Sequence, residues 1–297
     1  MTTPRWRALS SSEITEPVTV RWRIDLSYDG SGFKGFALQP DQSTVVGELR
    51  EAIALTLRLS DVPFIVGAGR TDTGVHAFAQ VIHLDLPERF YPDNKGPEDE
   101  RLMRSLNNQL AGRITVHAVR RVSDDFHARH SATWRAYRYL VIESNSPALA
   151  LSSAMSWTVE GPVDIDLMNL ACQDLLGEHD FRAFCKRPDN VDAEQPLQRD
   201  VFEAQWTRLA DTWRVTPTAA PALRFNIRAK SFCHQQVRSL TSTLVAIGQG
   251  KLPVSTIKER LDSHSRYQLP GPAPAGGLSL IGVGYPEFAG GASGFVE

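Results

Sequence analysis

A short glycine-rich segment carries the residues of this sequence that are best suited to catalysis. It reads GAGRTDTGVHA (residues 67–77) and lies between two apolar runs at 64–66 and 81–84. Apolar runs of this length are typical of strands, so the segment is predicted to be a loop on a rigid support. Its carboxylate is Asp72. The same residues also suit an ordinary turn, with Asp72 bonding its own backbone and Gly74 in the left-handed region. On spacing alone the turn is the simpler interpretation.

The chemistry that Asp72 could perform is limited by the lack of a visible partner. The nearest downstream carboxylate, Asp85, falls in a predicted strand. Glycoside hydrolysis normally uses two carboxylates, and metal sites need several oxygen or imidazole ligands. One carboxylate in a glycine-bearing loop is suited to nucleophilic catalysis. The neighbouring Arg70 could keep Asp72 ionised, because an adjacent positive charge favours the carboxylate.

Two further candidates lie far along the chain. Tyr137 and Tyr139 share one face of a predicted strand, and Arg138 takes the other. Such rings can stack on an extruded base, but buried core tyrosines are the more ordinary interpretation. Arg238 falls in the first turns of a predicted helix. It is either a surface charge or an inward arginine held by a carboxylate, since a buried arginine is costly unless it is paired.

The histidines and cysteines predict no metal site. His127 and His130 are three residues apart, and His76 and His83 flank the start of a predicted strand. Without a third ligand at a suitable spacing, they are interpreted as structural residues or phosphate contacts. The three cysteines form no CxxC pair and are odd in number, so we expect neither a disulfide framework nor a structural zinc site, as in a reducing cytoplasm.

Composition predicts a soluble globular protein without a membrane span or a signal peptide. Of the 297 residues, 42% are hydrophobic and 22% are charged, and no run of about 18 apolar residues occurs. The net charge of −2 is a mild argument against a nucleic-acid partner. The segment 120–138 is locally basic, however, which could be a phosphate-binding face or an ordinary solvated one; its arginines are Arg120, Arg121, Arg129, Arg135 and Arg138.

The periodicity of the chain predicts the same order of elements twice. Alternating apolar residues predict a strand at 18–28, and an apolar residue at every fourth position predicts a helix at 44–58, capped by Thr44. Strands at 63–67 and 80–86, a helix near 99–110 and a strand from 114 complete a β-α-β-β-α-β order. The second half repeats that order with strands at 133–143, 202–209, 223–230 and 278–285 and helices at 164–176 and 235–247, plus a helical turn at 256–263.

This order predicts an α+β fold of two ferredoxin-like halves, related by a pseudo-twofold axis, each an antiparallel sheet with its helices on one face. The predicted divisions are a flexible tail at 1–17, an N-terminal half with the Asp72 loop at 18–123, and a C-terminal half and tail at 124–297. The tail from 289 is rich in glycine.

Several segments together resemble the tRNA pseudouridine synthase A family, in the order in which that family has them. They are SYDGSGFKGF (27–36), GRTDTGVHA (69–77), SLNNQL (105–110), DDFHARHSATWRAYRYLV (124–141), LLGEHDFRAF (175–184), FCHQQVRSL (232–240) and GLSLIGVGYP (277–286). The match runs from about residue 22 to residue 286. The Asp72 string and the 124–141 string are its most specific parts.

The resemblance implies an enzyme that isomerises uridine to pseudouridine in the anticodon stem-loop of tRNA, as a homodimer of two-half subunits and without a cofactor or metal. The position of the family nucleophile matches Asp72. Tyr137 matches a tyrosine that is expected to stack on the flipped base and to assist removal of the C5 proton. Arg238 matches an arginine expected to pair with the aspartate, and Arg70 one that helps to flip the base.

The sequence departs from the family pattern at three places that bear on RNA contacts. Gly35-Phe36-Ala37 stands where the family commonly has Gly-Trp-Gln, and Gln235-Gln236 stands where it commonly has His or Gln followed by Met. After Arg238 the family often continues Asn-Ile-Val-Gly, and this sequence has Ser239-Leu240-Thr241-Ser242. Two alternatives to the enzyme remain. One is a module that binds structured RNA without catalysis, since the same basic face would bind RNA in such a module. The other is a small-molecule hydrolase, which the missing second carboxylate disfavours.

Overall fold

A computed structural model describes residues 18–88, 97–146, 150–187, 192, 194–209, 222–287 and 293–294. The predicted tails, 1–17 and 289–297, lie outside these residues except for Ser293–Gly294. Among the described residues no helix is long and apolar enough to cross a bilayer.

The described strands form one large, mostly antiparallel sheet in a mixed α+β architecture. The strands are β1 (Thr19–Tyr28), β2 (Val66–Gly67), β3 (His76–Pro87), β4 (Ile114–Arg121), β5 (Trp134–Glu143), β6 (Trp157–Val159), β7 (Gly177–Asp180), β8 (Gln198–Leu209), β9 (Ala222–Ala229), β10 (Leu278–Gly284) and β11 (Ser293–Gly294). The main path through the sheet is β4-β1-β3-β10-β5-β9-β8-β7, with β2 paired to β3, β6 to β5 and β11 to β10. The predicted α+β class is therefore confirmed.

The helices follow the predicted apolar stripes. They are α1 (Val45–Leu57), α2 (Pro97–Leu110), α3 (Ala150–Ser153), α4 (Ile165–Cys172), α5 (Gln236–Gly248) and α6 (Thr256–Ser263). The Thr44 hydroxyl caps α1 by accepting the Gly47 N–H at 3.2 Å, as predicted. The helix predicted to run to residue 176 ends at Cys172 and continues as a single 3-10 turn. Burial of the stripe residues, such as Leu49, Ile53 and Leu106, supplies much of the core.

Two predicted strands around the Asp72 loop have different bounds in the structure. The strand predicted at 63–67 is reduced to the two residues of β2, and β3 begins at His76 rather than at residue 80. The earlier start of β3 results from a tertiary contact, which the local pattern of apolar residues cannot predict. Ser279 and Leu280 of β10 pair in parallel with His76 and Ala77, and this pairing joins the two parts of the sheet.

The number and spacing of the cysteines predict no disulfide framework, and the structure corrects this for one pair of cysteines. Cys185 and Cys233 form a disulfide, with their Cα atoms 5.8 Å apart, and Cys172 is free and buried. The partners are 48 residues apart in sequence. Only the fold brings them together, since Cys185 follows the 3-10 turn after β7 and Cys233 lies between β9 and α5.

Candidate active site

The loop that carries Asp72 is held rigidly from beneath by polar side chains of β1 and β3. The Gln80 amide donates to the Gly69 carbonyl at 2.8 Å, and the hydroxyls of Tyr28 and Thr71 share a hydrogen bond of 2.8 Å. Tyr28 is buried, and this burial raises the pKa of its phenol to about 12, so it stays protonated at neutral pH. A buried network that fixes Gly69 and Thr71 holds the backbone that leads into Asp72.

Glycines in and beside the loop serve geometric needs. Gly74 has φ +79°, a left-handed conformation that closes the turn begun by the Val75 N–H donating to the Asp72 carbonyl at 3.1 Å. A Cβ on Gly30 would lie 2.0 Å from the Val75 carbonyl oxygen, so only glycine allows β1 to end against this loop. The predicted left-handed Gly74 is therefore present, whereas the turn hydrogen bond uses the backbone carbonyl of Asp72 and leaves its side chain to contact other residues.

The carboxylate of Asp72 is held from two sides. Arg238 Nη1 donates to Asp72 Oδ2 at 3.0 Å, and its Nε donates to the Ala273 carbonyl at 2.7 Å. The His234 Nε2 lies 3.3 Å from Asp72 Oδ1. The Asp72 side chain is 21% exposed and so remains open to a ligand. Of the two interpretations of Arg238, the structure supports the arginine held by a carboxylate, across 166 residues of sequence.

His234 was not a candidate from the sequence. It lies within the FCHQQVRSL string but has no ligand-like spacing to another histidine. A signal could have been its closeness in sequence to Arg238, which the resemblance pairs with Asp72. No helical spacing links the two residues, because Gln235 is left-handed and α5 begins only at Gln236.

Arg70 and Tyr137 occupy different positions relative to the carboxylate. Arg70 is exposed and lines the same cavity, while Asp72 forms its ion pair within the described residues with Arg238 and also contacts His234. Tyr137 lines the cavity from β5, is 8% exposed and packs at right angles to Phe232, with ring centroids 5.2 Å apart. Burial, and then the charges of Tyr28 and Asp72, raise the pKa of Tyr137, so its phenol is neutral.

Tyr139 is a core residue. It is fully buried, and its hydroxyl donates to the Pro274 carbonyl at 2.7 Å. The core interpretation therefore holds for Tyr139, whereas Tyr137 is both buried and at the cavity wall.

The site opens into a cavity of about 1500 Å³ with strongly positive walls. Among the described residues that line it, Asp72 is the one carboxylate, and eight are lysine or arginine: Lys34, Arg50, Arg70, Arg129, Arg135, Lys186, Arg199 and Arg238. The net charge of the protein is −2, yet positive charge is concentrated on the cavity wall, around Asp72. Such a cavity attracts polyanions.

The basic segment at 120–138 is only partly available to phosphates. Arg135 is 8% exposed, and its guanidinium donates to backbone carbonyls, including that of Ala68 at 2.8 Å, so it fixes the start of the Asp72 loop. Arg120 pairs with Asp25. Arg129, by contrast, is exposed and lines the cavity. The predicted basic face is therefore in part an internal scaffold.

The four histidines singled out from the sequence divide into two structural residues and two that line the cavity. The Nδ1 of His76 accepts the Gly30 N–H at 3.1 Å, and the Nδ1 of His83 accepts the Ala128 N–H at 3.0 Å. Burial lowers the pKa of His83 to about 4, so it is neutral. These two are structural, whereas His127 lines the cavity, as does His130. Within the described chain no group of three or more metal-ligating side chains occurs.

Two of the three departures from the family pattern are built into the site. Phe36 is 3% exposed and stacks on Tyr28, with ring centroids 6.4 Å apart. Gln236 is fully buried, and its Oε1 accepts the Cys233 N–H at 2.9 Å. Both side chains therefore support the active-site loops from inside.

Comparison with known proteins defines the class. A family model described as tRNA pseudouridine synthase matches residues 171–286. Proteins called tRNA pseudouridine synthase A are similar over most of the chain. The one from Cutibacterium acnes is 36% identical over 267 residues, covering 90% of this chain and 89% of its own. The one from Methylobacterium sp. is 38% identical over 268 residues, covering 90% and 98%.

A third relative, from Jannaschia sp., is 36% identical over 271 residues and covers 90% of this chain and 95% of its own. The fold and the cavity thus belong to an RNA-modifying isomerase. The chain is a member of the tRNA pseudouridine synthase A family, which converts uridine to pseudouridine in tRNA. The resemblance drawn from the motifs is confirmed.

Proposed function

We propose that this enzyme acts on uridines of the tRNA anticodon stem-loop and that Asp72 is its nucleophile. The observation that carries the proposal is the carboxylate of Asp72, partly exposed and paired with Arg238, as the one acidic group among the described residues of a basic cavity. The cations suit the phosphates around the target nucleotide, and the ionised carboxylate suits covalent catalysis. A module that only binds RNA would gain nothing from an anionic group at this place.

The isomerisation balances without any other reagent. A carboxylate oxygen of Asp72 forms a bond to the target nucleoside, at the sugar or at the base ring, while the N1–C1′ bond breaks. The base turns, C5 bonds to C1′, and the bond to Asp72 breaks, which restores the carboxylate. C5 then loses its proton and N1 gains one, so that the product is an isomer of the substrate. The chemistry requires neither metal nor cofactor.

The neighbouring residues take distinct parts in this proposal. Arg238 fixes the orientation of the carboxylate, because it bridges Asp72 Oδ2 and the Ala273 carbonyl. Arg70, exposed at the cavity wall, contacts the RNA and helps to hold the target base out of its stack. Tyr137 offers its ring to that base. Because its phenol stays protonated, Tyr137 assists removal of the C5 proton by hydrogen bonding and does not act as a phenolate.

Substitution of Tyr137 separates stacking from hydrogen bonding. Tyr137→Phe keeps the ring, and we expect kcat to fall by about tenfold with tRNA affinity unchanged within about twofold. Tyr137→Leu also removes the stacking surface, worth about 1–3 kcal/mol per base, and is expected to lower kcat further. Single-turnover rates and filter binding measure the two effects. An unchanged rate for both variants would assign Tyr137 to core packing alone.

The architecture proposed with this function is two ferredoxin-like halves, divided near residue 123 and with their helices on one face of the sheet. The strand order supports it, since β4-β1-β3-β2 in the first half and β10-β5-β9-β8 in the second have the same arrangement. We further propose a homodimer that acts in the cytoplasm, on the basis of the resemblance to the family.

The place of modification is tested by mapping. A tRNA transcript is incubated with the enzyme and treated with a carbodiimide that remains on pseudouridine and blocks reverse transcription. We expect stops only at uridines of the anticodon arm. The matched control is the same transcript with those uridines changed to cytidine, which should give no stop. Stops in another arm would overturn the proposed site on tRNA.

A further inference from the structure

A second side chain lies against the carboxylate of Asp72, and the family resemblance gave it no role. Asp72 Oδ2 is held by Arg238 at 3.0 Å, and Asp72 Oδ1 lies 3.3 Å from Nε2 of His234. His234 is 45% exposed, so it lies at the surface of the cavity rather than in the core. Arg238 and His234 therefore approach the carboxylate from the same short stretch of chain, one at each oxygen.

The backbone around His234 is fixed on both sides. The Lys186 N–H donates to the His234 carbonyl at 2.8 Å, and Cys233 is bonded to Cys185. On the other side Gln235 has φ +64°, an uncommon conformation for a residue other than glycine. Backbone strain of this kind persists where the surrounding structure enforces it, and it concentrates at functional sites. The left-handed residue lies between His234 and α5, which carries Arg238.

Two donors on one carboxylate have a consequence that one donor lacks. A carboxylate held by one oxygen still turns about its Cβ–Cγ bond, whereas a donor on each oxygen fixes its plane. An ionised carboxylate has about four lone-pair positions, so each oxygen keeps room for a bond to substrate. Small errors in the placement of a nucleophile are costly, with about 100-fold lost for about 1 Å.

We propose that His234 is a positioning residue for the nucleophile, which donates Nε2–H to Asp72 Oδ1 and holds the carboxylate in its reactive orientation. It neither gains nor loses a proton over the cycle. This inference rests on the proposed role of Asp72. It requires that the imidazole carries its proton on Nε2, and it distinguishes His234 from an RNA contact, which would act on affinity.

The test compares variants of His234 by single-turnover kinetics and tRNA binding. His234→Ala should lower the rate about tenfold to 100-fold, with the Kd for tRNA and its salt dependence unchanged within about twofold. His234→Gln keeps an N–H donor near the position of Nε2 and should recover the rate to within about fivefold. His234→Asn, whose amide is too short to reach Oδ1, should not recover it.

A matched control exists elsewhere in the chain. His264 also lies beside a carboxylate, with Nε2 3.6 Å from Asp180 Oδ2, and is 39% exposed. Neither residue lines the cavity. His264→Ala should leave the rate within twofold of the wild type. Thermal melts of all variants show whether a lost rate reflects a lost fold, and recovery by glutamine is informative even where alanine destabilises the protein.

The outcomes separate this inference from the proposed function. If the wild type isomerises uridine and His234→Ala does so at the same rate, His234 is not a positioning residue, and the proposed role of Asp72 is unaffected. A weaker Kd with an unchanged single-turnover rate would make His234 an RNA contact.

A spectroscopic measurement tests the contact itself. In protein that contains ¹⁵N-labelled histidine, the Nε2–H signal of His234 should shift in Asp72→Asn. An unchanged signal would contradict the contact.

Discussion

Asp72→Asn is expected to abolish isomerisation while tRNA binding is retained. Asparagine has the shape of aspartate but no negative charge, so it cannot form the covalent bond that splits the reaction into two steps. Loss of a nucleophile lowers kcat by about 10⁴-fold or more. Affinity for tRNA depends mostly on phosphate contacts. Removing the one carboxylate among eight basic side chains of the described cavity wall should leave Kd equal to, or up to about threefold below, that of the wild type.

The control for this variant is another carboxylate held by an arginine. Asp85 accepts two hydrogen bonds of 2.8 Å from Arg21 and is absent from the cavity wall. Asp85→Asn should therefore isomerise tRNA at a rate within about twofold of the wild type. Equal loss of activity in both variants, or loss of folding in Asp72→Asn, would remove the evidence for a chemical role of Asp72.

Arg238→Ala is expected to have the second largest effect, on both activity and stability. The guanidinium is 14% exposed and joins Asp72 to the Ala273 carbonyl. Its loss frees the carboxylate to turn and leaves a carbonyl without its donor. We expect kcat to fall about 100-fold and the free energy of unfolding to fall by about 1–3 kcal/mol. Single-turnover rates and denaturant titrations measure the two losses.

Two further variants separate charge from geometry at this position. Arg238→Lys keeps the positive charge but cannot reach both acceptors with the fixed spacing of a guanidinium, so its rate should lie between those of alanine and the wild type. Arg182 has a similar exposure of 15% and likewise joins a carboxylate, Asp180, to a backbone carbonyl, that of Glu194. Arg182→Ala should lose comparable stability with a rate within about threefold. A fully active Arg238→Lys would show that charge alone is needed.

Much of the fold could be predicted because its signals are local. The alternation of apolar residues in β1 and the stripe of α1 follow directly from the side-chain periods of strands and helices. The cap at Thr44 and the bounds of α6 are likewise determined by a few neighbouring residues. Two-residue strands such as β2 have no such pattern, and the early start of β3 depends on its pairing with β10.

The candidate site could be predicted only as far as separate residues. Asp72, Tyr137 and Arg238 are predicted through their strings, but the contact of Asp72 with Arg238 joins chain segments 166 residues apart, and Tyr137 reaches the same cavity from β5. The pairing of Cys185 with Cys233 and the position of His234 beside Asp72 likewise depend on the tertiary structure and not on local sequence. Burial also separates residues of the same type. Arg135 is buried and holds the backbone in place, whereas Arg129 is exposed at the cavity wall.

The most direct test of the account is tritium release from a tRNA transcript labelled at C5 of uridine. The purified enzyme and Asp72→Ala are incubated with the transcript in the presence of a chelator and without any cofactor. Isomerisation replaces the C5–H bond, so the wild type should release tritium in proportion to the uridines converted, and Asp72→Ala should release none while still binding the transcript. Equal release by both proteins would contradict the role of Asp72. No release by either, with the transcript bound, would contradict autonomous catalysis and favour a module that only binds RNA.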